Sequence, residues 1–127
     1  MPGLSNYLEN ELLDQIFRNS AAPAITSVWI SLHSGDPGET GVFEISGNGY
    51  IRKTSGFDVA SNGATANSNL VSFSGMPALT VTHVGLWDAS GAGAGNFLGG
   101  GSFSASKTTN LNDVFQIAIG DLDVTLD

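Results

Sequence analysis

The stretch HSGDPGETG, residues 33–41, gathers His33, Asp36, Glu39 and three glycines. Those residue types could ligate a metal or cradle a phosphate. A phosphate loop needs a Lys-Ser/Thr pair after its last glycine and a helix to follow. Here Val42 and Phe43 follow Gly41, and the next segments are of β type. A calcium loop needs oxygen ligands at alternate positions and a closing Glu. Counted from Asp36, the alternate positions hold Gly38, Thr40 and Val42. His33 and His83 are the only histidines, so neither has a second one nearby to complete a site. The stretch therefore reads as an Asp-Pro-Gly turn, in which Pro37 presets φ, Gly38 accepts positive φ and Asp36 bonds to the backbone. A calcium ion between Asp36 and Glu39 is the residual chemical alternative.

Other chemistries fare no better. Nucleophilic catalysis needs a Ser, Thr or Cys with a base and an orienting group. The chain has no cysteine and no Gly-x-Ser-x-Gly elbow. Thr82 and His83 would point to opposite faces of a regular strand, so His83 reads as a packed or edge histidine. Glycoside hydrolysis needs two carboxylates about 5 to 10 Å apart. Glu39, Glu44, Asp58 and Asp88 are candidates, but nothing in the sequence pairs any two. Trp29, Trp87 and Tyr50 could stack on a sugar, although aromatic residues of a small β domain more often serve core or interface. No catalytic residue, cofactor or metal is assigned, and the chain reads as a non-enzyme.

The elements that would carry these residues follow from periodicity. In SNYLENELLDQIFRNS the residues Leu8, Leu12, Leu13, Ile16 and Phe17 recur at helical spacing. This predicts a helix over about 6–18, capped by Asn6 with Glu9 as reciprocal partner and ended by Pro23. Beyond it the period falls to two. VWISLH sets Val28, Ile30 and Leu32 against Trp29, Ser31 and His33, so that strand is apolar on both faces and needs a second cover, either the helix or another subunit. GYIRKTSGF alternates Tyr50, Arg52 and Thr54 with Ile51, Lys53 and Ser55. NLVSFS supplies Val71 and Phe73. LTVTHVGLWD switches phase beside Gly85, which predicts a bulge or burial on both faces. NFLGGGSFS reads as short β pieces around glycines, and the Gly-rich run before it as a hairpin tip. Phe115, Ile117, Ile119, Leu122, Val124 and Leu126 would share one face of a hairpin turning at Gly120-Asp121, or of one bulged strand. Asp121, Asp123 and Asp127 then form a solvated face. Seven or eight short strands imply a single domain, 1–127, that is mainly β: an antiparallel β-sandwich of jelly-roll type with one amino-terminal helix.

Charge narrows the partners. Only 13% of the 127 residues are charged, with 12 acids against 4 bases, a net charge of −8. That balance repels nucleic acid and anionic lipid. No apolar run approaches the roughly 20 residues of a membrane span, and no secretory leader is visible. The expected site of synthesis is the cytoplasm.

Five segments taken in order, GLSNYLENELLDQIF, VWISLHSGDPGETG, EISGNGYIRK, VTHVGLWDASGAGAGNFLGGGSF and SKTTNLNDVFQIAIGDLDVTLD, span nearly the whole chain. Their order resembles a family of small tailed-bacteriophage structural proteins, commonly labelled tail fibre proteins. That family shows an L-x-x-x-DP turn, matched by Leu32 to Pro37, and an L-x-V-x-L-D ending, matched by Leu122 to Asp127. It usually has small residues where Asn48 and Ile51 stand. The resemblance implies a virion structural protein. Joined to the absence of repeats, it gives the expectation of a capsid decoration (cement) protein, a homotrimer on the capsid surface contacting the major capsid protein and copies of itself. The expected interface comprises Leu8, Leu12, Ile16, Trp29 and Trp87. The alternative expectation is a tail-fibre or tail-tip module that contacts host glycan.

Overall fold

The computed structural model describes residues 3–21 and 24–126. In chain order the elements are β1 (Gly3–Leu4), α1 (Asn6–Phe17), β2 (Val28–His33), β3 (Lys53–Ser55), β4 (Ala64–Ala66), β5 (Val71–Met76), β6 (Leu79–Trp87), β7 (Phe97–Thr109), β8 (Asp113–Ile117) and β9 (Asp123–Thr125). A five-stranded antiparallel sheet runs β1-β7-β6-β2-β3, and β5–β8 and β4–β9 form two further antiparallel pairs. The fold is thus mainly β, antiparallel and sandwich-like, with one helix among the described residues, as the periodicities led us to expect.

Alternation builds the core directly. Ile30 pairs with Leu86 and Leu32 with Val84 across β2 and β6. These four cluster with Val71, Phe73, Phe115 and Ile117 of the β5–β8 pair. Each such side chain contributes about 1.5–3 kcal/mol on full burial. Phe73 stands edge-on to Phe115 at 6.4 Å and stacks on Tyr50 at 6.0 Å.

The other face of β2 is also closed, because Ser31 and His33 are fully buried. Trp29 at the start of the strand stays half-buried, while the chain's own segment 34–45 lies over Ser31 and His33, with the Val42 carbonyl 2.8 Å from His33 Nδ1. Within it, Gly38 N–H donates to Asp36 Oδ1 at 2.9 Å, the turn expected from Asp-Pro-Gly. Pro37 is buried. Gly41, at φ +78°, lies flat on Trp87 and Phe97, where a Cβ would overlap both rings. Only glycine satisfies that φ and that approach together.

Several sequence expectations need correction. The helix cap is Ser5, not Asn6: Ser5 Oγ accepts from Leu8 N–H at 3.2 Å. Glu9 therefore falls one position beyond reciprocal reach. Pro23, the expected stop, and Asp127 lie outside the described residues. The glycines of NFLGGGSFS do not break the chain into pieces; they sit within one strand, β7, of 13 residues. The hairpin at Gly120-Asp121 does not form, nor does one bulged strand. β8 pairs with β5 and β9 with β4, so the chain crosses from one pair to the other. Asn67 holds that crossing by accepting from Gly120 N–H at 3.1 Å and Leu122 N–H at 2.9 Å. Ile119 and Leu126, expected inward, are exposed.

Candidate functional site

Among the described residues, a buried polar cluster lies beneath segment 34–45. Strand alternation brings Ser31 and His33 to the face that Gly85 and Trp87 share on β6. Gly85 is required there, since a Cβ would come within 2.6 Å of both His33 Nε2 and Ser31 Oγ. His33 Nδ1 lies 2.8 Å from the Val42 carbonyl, which can only accept, so Nδ1 carries the proton. In the neutral ring Nε2 is then an acceptor, filled by Ser31 O–H at 2.7 Å. Ser31 Oγ in turn accepts from Trp87 Nε1–H at 2.8 Å. Burial pushes the His33 pKa below the ordinary histidine value, which keeps the ring in the neutral form these bonds need.

Beside this relay, Arg52 is 3% exposed and grips Glu44 with two bonds, Nη2–Oε1 at 2.7 Å and Nε–Oε2 at 3.0 Å. Arg52 Nη1 donates to the carbonyls of Ala89 and Ala94 at 2.8 and 3.1 Å. Its guanidinium lies 3.9 Å above the Trp87 ring. Tyr50 O–H donates to Glu44 Oε2 and accepts from Leu32 N–H, each at 3.0 Å. Burial raises the Tyr50 pKa, with Glu44 adding to it, so the phenol stays protonated. One cluster thus ties together β2, the lid segment, the start of β3 and the β6–β7 loop. The bidentate geometry meets the requirement that a buried ion pair be fully hydrogen-bonded.

The Ser31–His33 contact has the length of a nucleophile–base pair. Both residues are fully buried, the serine oxygen accepts from Trp87, and the far ring nitrogen meets a carbonyl rather than a carboxylate. The pair fastens loops and has no opening to a substrate.

The remaining candidates take separate places. Glu39 accepts from Asn6 N–H at 2.6 Å and so anchors the first turn of α1. Asp88 accepts from Asn96 N–H at 2.6 Å and from its side chain at 3.0 Å, closing the β6–β7 loop. Asp58 is exposed and stands apart. Thr82 Oγ1 and His83 Nδ1 lie 2.7 Å apart, against expectation, because the β6–β7 ladder slips between Val81 and His83 and the strand is not regular there. Of the expected interface, Leu8 and Leu12 are half-buried and line an apolar groove with Leu4 and Leu126. Ile16 is 71% exposed. Trp29 is half-buried. Trp87 is 5% exposed, enclosed by Arg52, Phe97 and Gly41 of its own chain. Trp87 is therefore not open to a sugar, and Tyr50, half-buried, has its hydroxyl taken up by Glu44 and Leu32. Sequence reading missed the Glu44–Tyr50–Arg52 set. Its one available signal was the two-residue spacing of Tyr50 and Arg52, one of 4 bases, which sets both on one face of an extended segment.

A family model described as Podophage GP4 fiber I protein gp80 matches residues 3–125, a span that contains every element from β1 to β9. No curated protein matches the chain. The order of short motifs, the antiparallel β fold and this end-to-end match agree: the chain belongs to the podophage fibre-protein family and is a structural protein of the phage particle.

Proposed function

We propose that this protein is a non-enzymatic fibre subunit on the podophage particle, a compact terminal module rather than a length of shaft. The family match over residues 3–125 carries the reading. The fold supports it, since the groups of catalytic type in the buried cluster fasten loops together. Copies of the chain assemble, as a homotrimer, through the α1 face. There Leu13, Ile16 and Phe17 are 54%, 71% and 80% exposed beside Leu8 and Leu12. Trp29 extends that contact. The net charge of −8 keeps the outer surface soluble at the high local concentration of a particle.

A second reading, a homotrimeric cement protein that clamps the major capsid protein on the head, is favoured by the single compact acidic β unit without repeats. Particles grown without the protein separate the two. A fibre subunit predicts heads of ordinary heat resistance that adsorb poorly to the host. Heads that lose their genome on mild heating while adsorbing normally would overturn the fibre reading in favour of the cement one, because a bound stabiliser acts by mass action.

A further inference from the structure

Asn-Gly occurs twice in the chain, at Asn48-Gly49 and at Asn62-Gly63. Both pairs are exposed, and both asparagines have positive φ, +50° and +53°, which asparagine tolerates better than most residues. An Asn-Gly pair also carries a latent reaction. The backbone nitrogen that follows the asparagine can reach the side-chain amide carbon, and glycine has no Cβ to crowd the approach. The surroundings of the two groups decide whether that reaction runs.

At Asn48 both groups are held. Asn48 Nδ2 donates to the Gly75 carbonyl and to Asn112 Oδ1, each at 2.8 Å. Gly49 N–H donates to the same Gly75 carbonyl at 2.8 Å. Attack there requires these bonds to open first. At Asn62 the groups are loose. Asn62-Gly63 is the two-residue turn between Ser61 and Ala64, whose backbone groups bond to each other at 2.9 and 3.0 Å. Gly63 has φ +73°, so both turn residues are left-handed, as in the hairpin turn that Asn-Gly favours. Neither the Asn62 side chain nor the Gly63 N–H bonds to another described residue.

We infer that Asn62-Gly63 is a site of spontaneous deamidation and backbone isomerisation. Gly63 N attacks Asn62 Cγ. The N–Cγ bond forms, the Cγ–Nδ2 bond breaks, and the Gly63 amide proton leaves with Nδ2 as ammonia. One water then opens the resulting succinimide ring. Cleavage at Cγ gives aspartate. Cleavage at the main-chain carbonyl gives isoaspartate, in which the backbone runs through Cγ and is longer by one methylene. Either product adds one negative charge to a chain of net charge −8. The longer backbone also spoils the two-residue turn. That turn matters beyond itself, because the Gly63 carbonyl accepts from Leu126 N–H at 2.7 Å, and both residues line the apolar groove with Leu8 and Leu12. The rearrangement therefore loosens β9 and the wall of that groove.

The inference stands apart from where the protein sits on the particle, so it holds or fails independently of the fibre reading. The test ages the native full chain in mildly alkaline buffer beside the same chain unfolded in guanidinium chloride. Mass spectrometry of the two Asn-Gly peptides reads the gain of about 1 Da at each site and separates isoaspartyl from aspartyl forms. In the unfolded chain the two sites are expected to react at similar rates. In the folded chain Asn62 is expected to react about tenfold faster than Asn48, the factor that one hydrogen bond imposes when it must open first. Equal rates at the two folded sites overturn the proposal, as does an Asn62 that stays intact over the time in which the unfolded chain reacts.

Discussion

At the scale of single residues, the account rests on Glu44, Arg52 and His33. Arg52 has no water to fall back on, so removing its partner leaves a buried charge uncompensated. Glu44→Gln keeps the shape and deletes the charge. It should cost about 3 kcal/mol of stability and lower the melting midpoint by roughly 10 °C, read by circular dichroism. A loss below about 1 kcal/mol, the size of a surface pair, contradicts the geometry described. His33 gives a second, pH-dependent test. Its folded pKa lies below the ordinary value near 6.5, so the unfolded chain binds a proton that the folded chain refuses. The stability His33 supplies is complete above about pH 6.5 and is lost as pH falls from there toward the lowered folded value. Glu44, Arg52 and His83 face the same ring, with the first favouring and the others opposing its protonation. Urea unfolding between about pH 7.5 and pH 5 should show stability falling with pH in the native protein and a shallower fall in His33→Gln. Equal slopes in the two proteins contradict the neutral, buried histidine.

At the scale of elements, what the sequence revealed was local and what it concealed was pairing. β2, β5 and β6 were readable because period two is a property of each strand by itself. Burial of β2 on both faces was readable as well, but its cover was not, since the lid is placed by Gly41 and Pro37 meeting residues far along the chain. The last two strands show the limit most plainly. Alternation from Phe115 to Leu126 suits a hairpin and a crossover equally, and the choice was made by Asn67, some 50 residues upstream. The bulge of β7 opposite Thr82, between Ser102 and Lys107, was hidden for the same reason: it exists only relative to its partner strand. Helix α1 was readable from spacing, and it is the element left least covered, with none of its residues fully buried. Ile16→Glu combined with Phe17→Glu places two charges on that exposed face. The variant should fold with native circular dichroism yet sediment as a monomer. Unchanged sedimentation of the oligomer contradicts the α1 interface.

At the scale of the whole molecule, the buried cluster, the lid and the α1 face divide the labour of a particle component. The first two make a rigid unit out of short strands with few charges, and the third offers apolar surface for assembly. Nothing in that division asks for turnover, and the family match places the unit among podophage fibre proteins. The central claim is therefore one of location. Gold-labelled antibody against the protein, applied to purified intact particles under the electron microscope, tests it most directly. The account predicts gold on the fibres around the tail, in a few discrete positions per particle. Gold spread evenly over the head, or no gold on any particle, would contradict it.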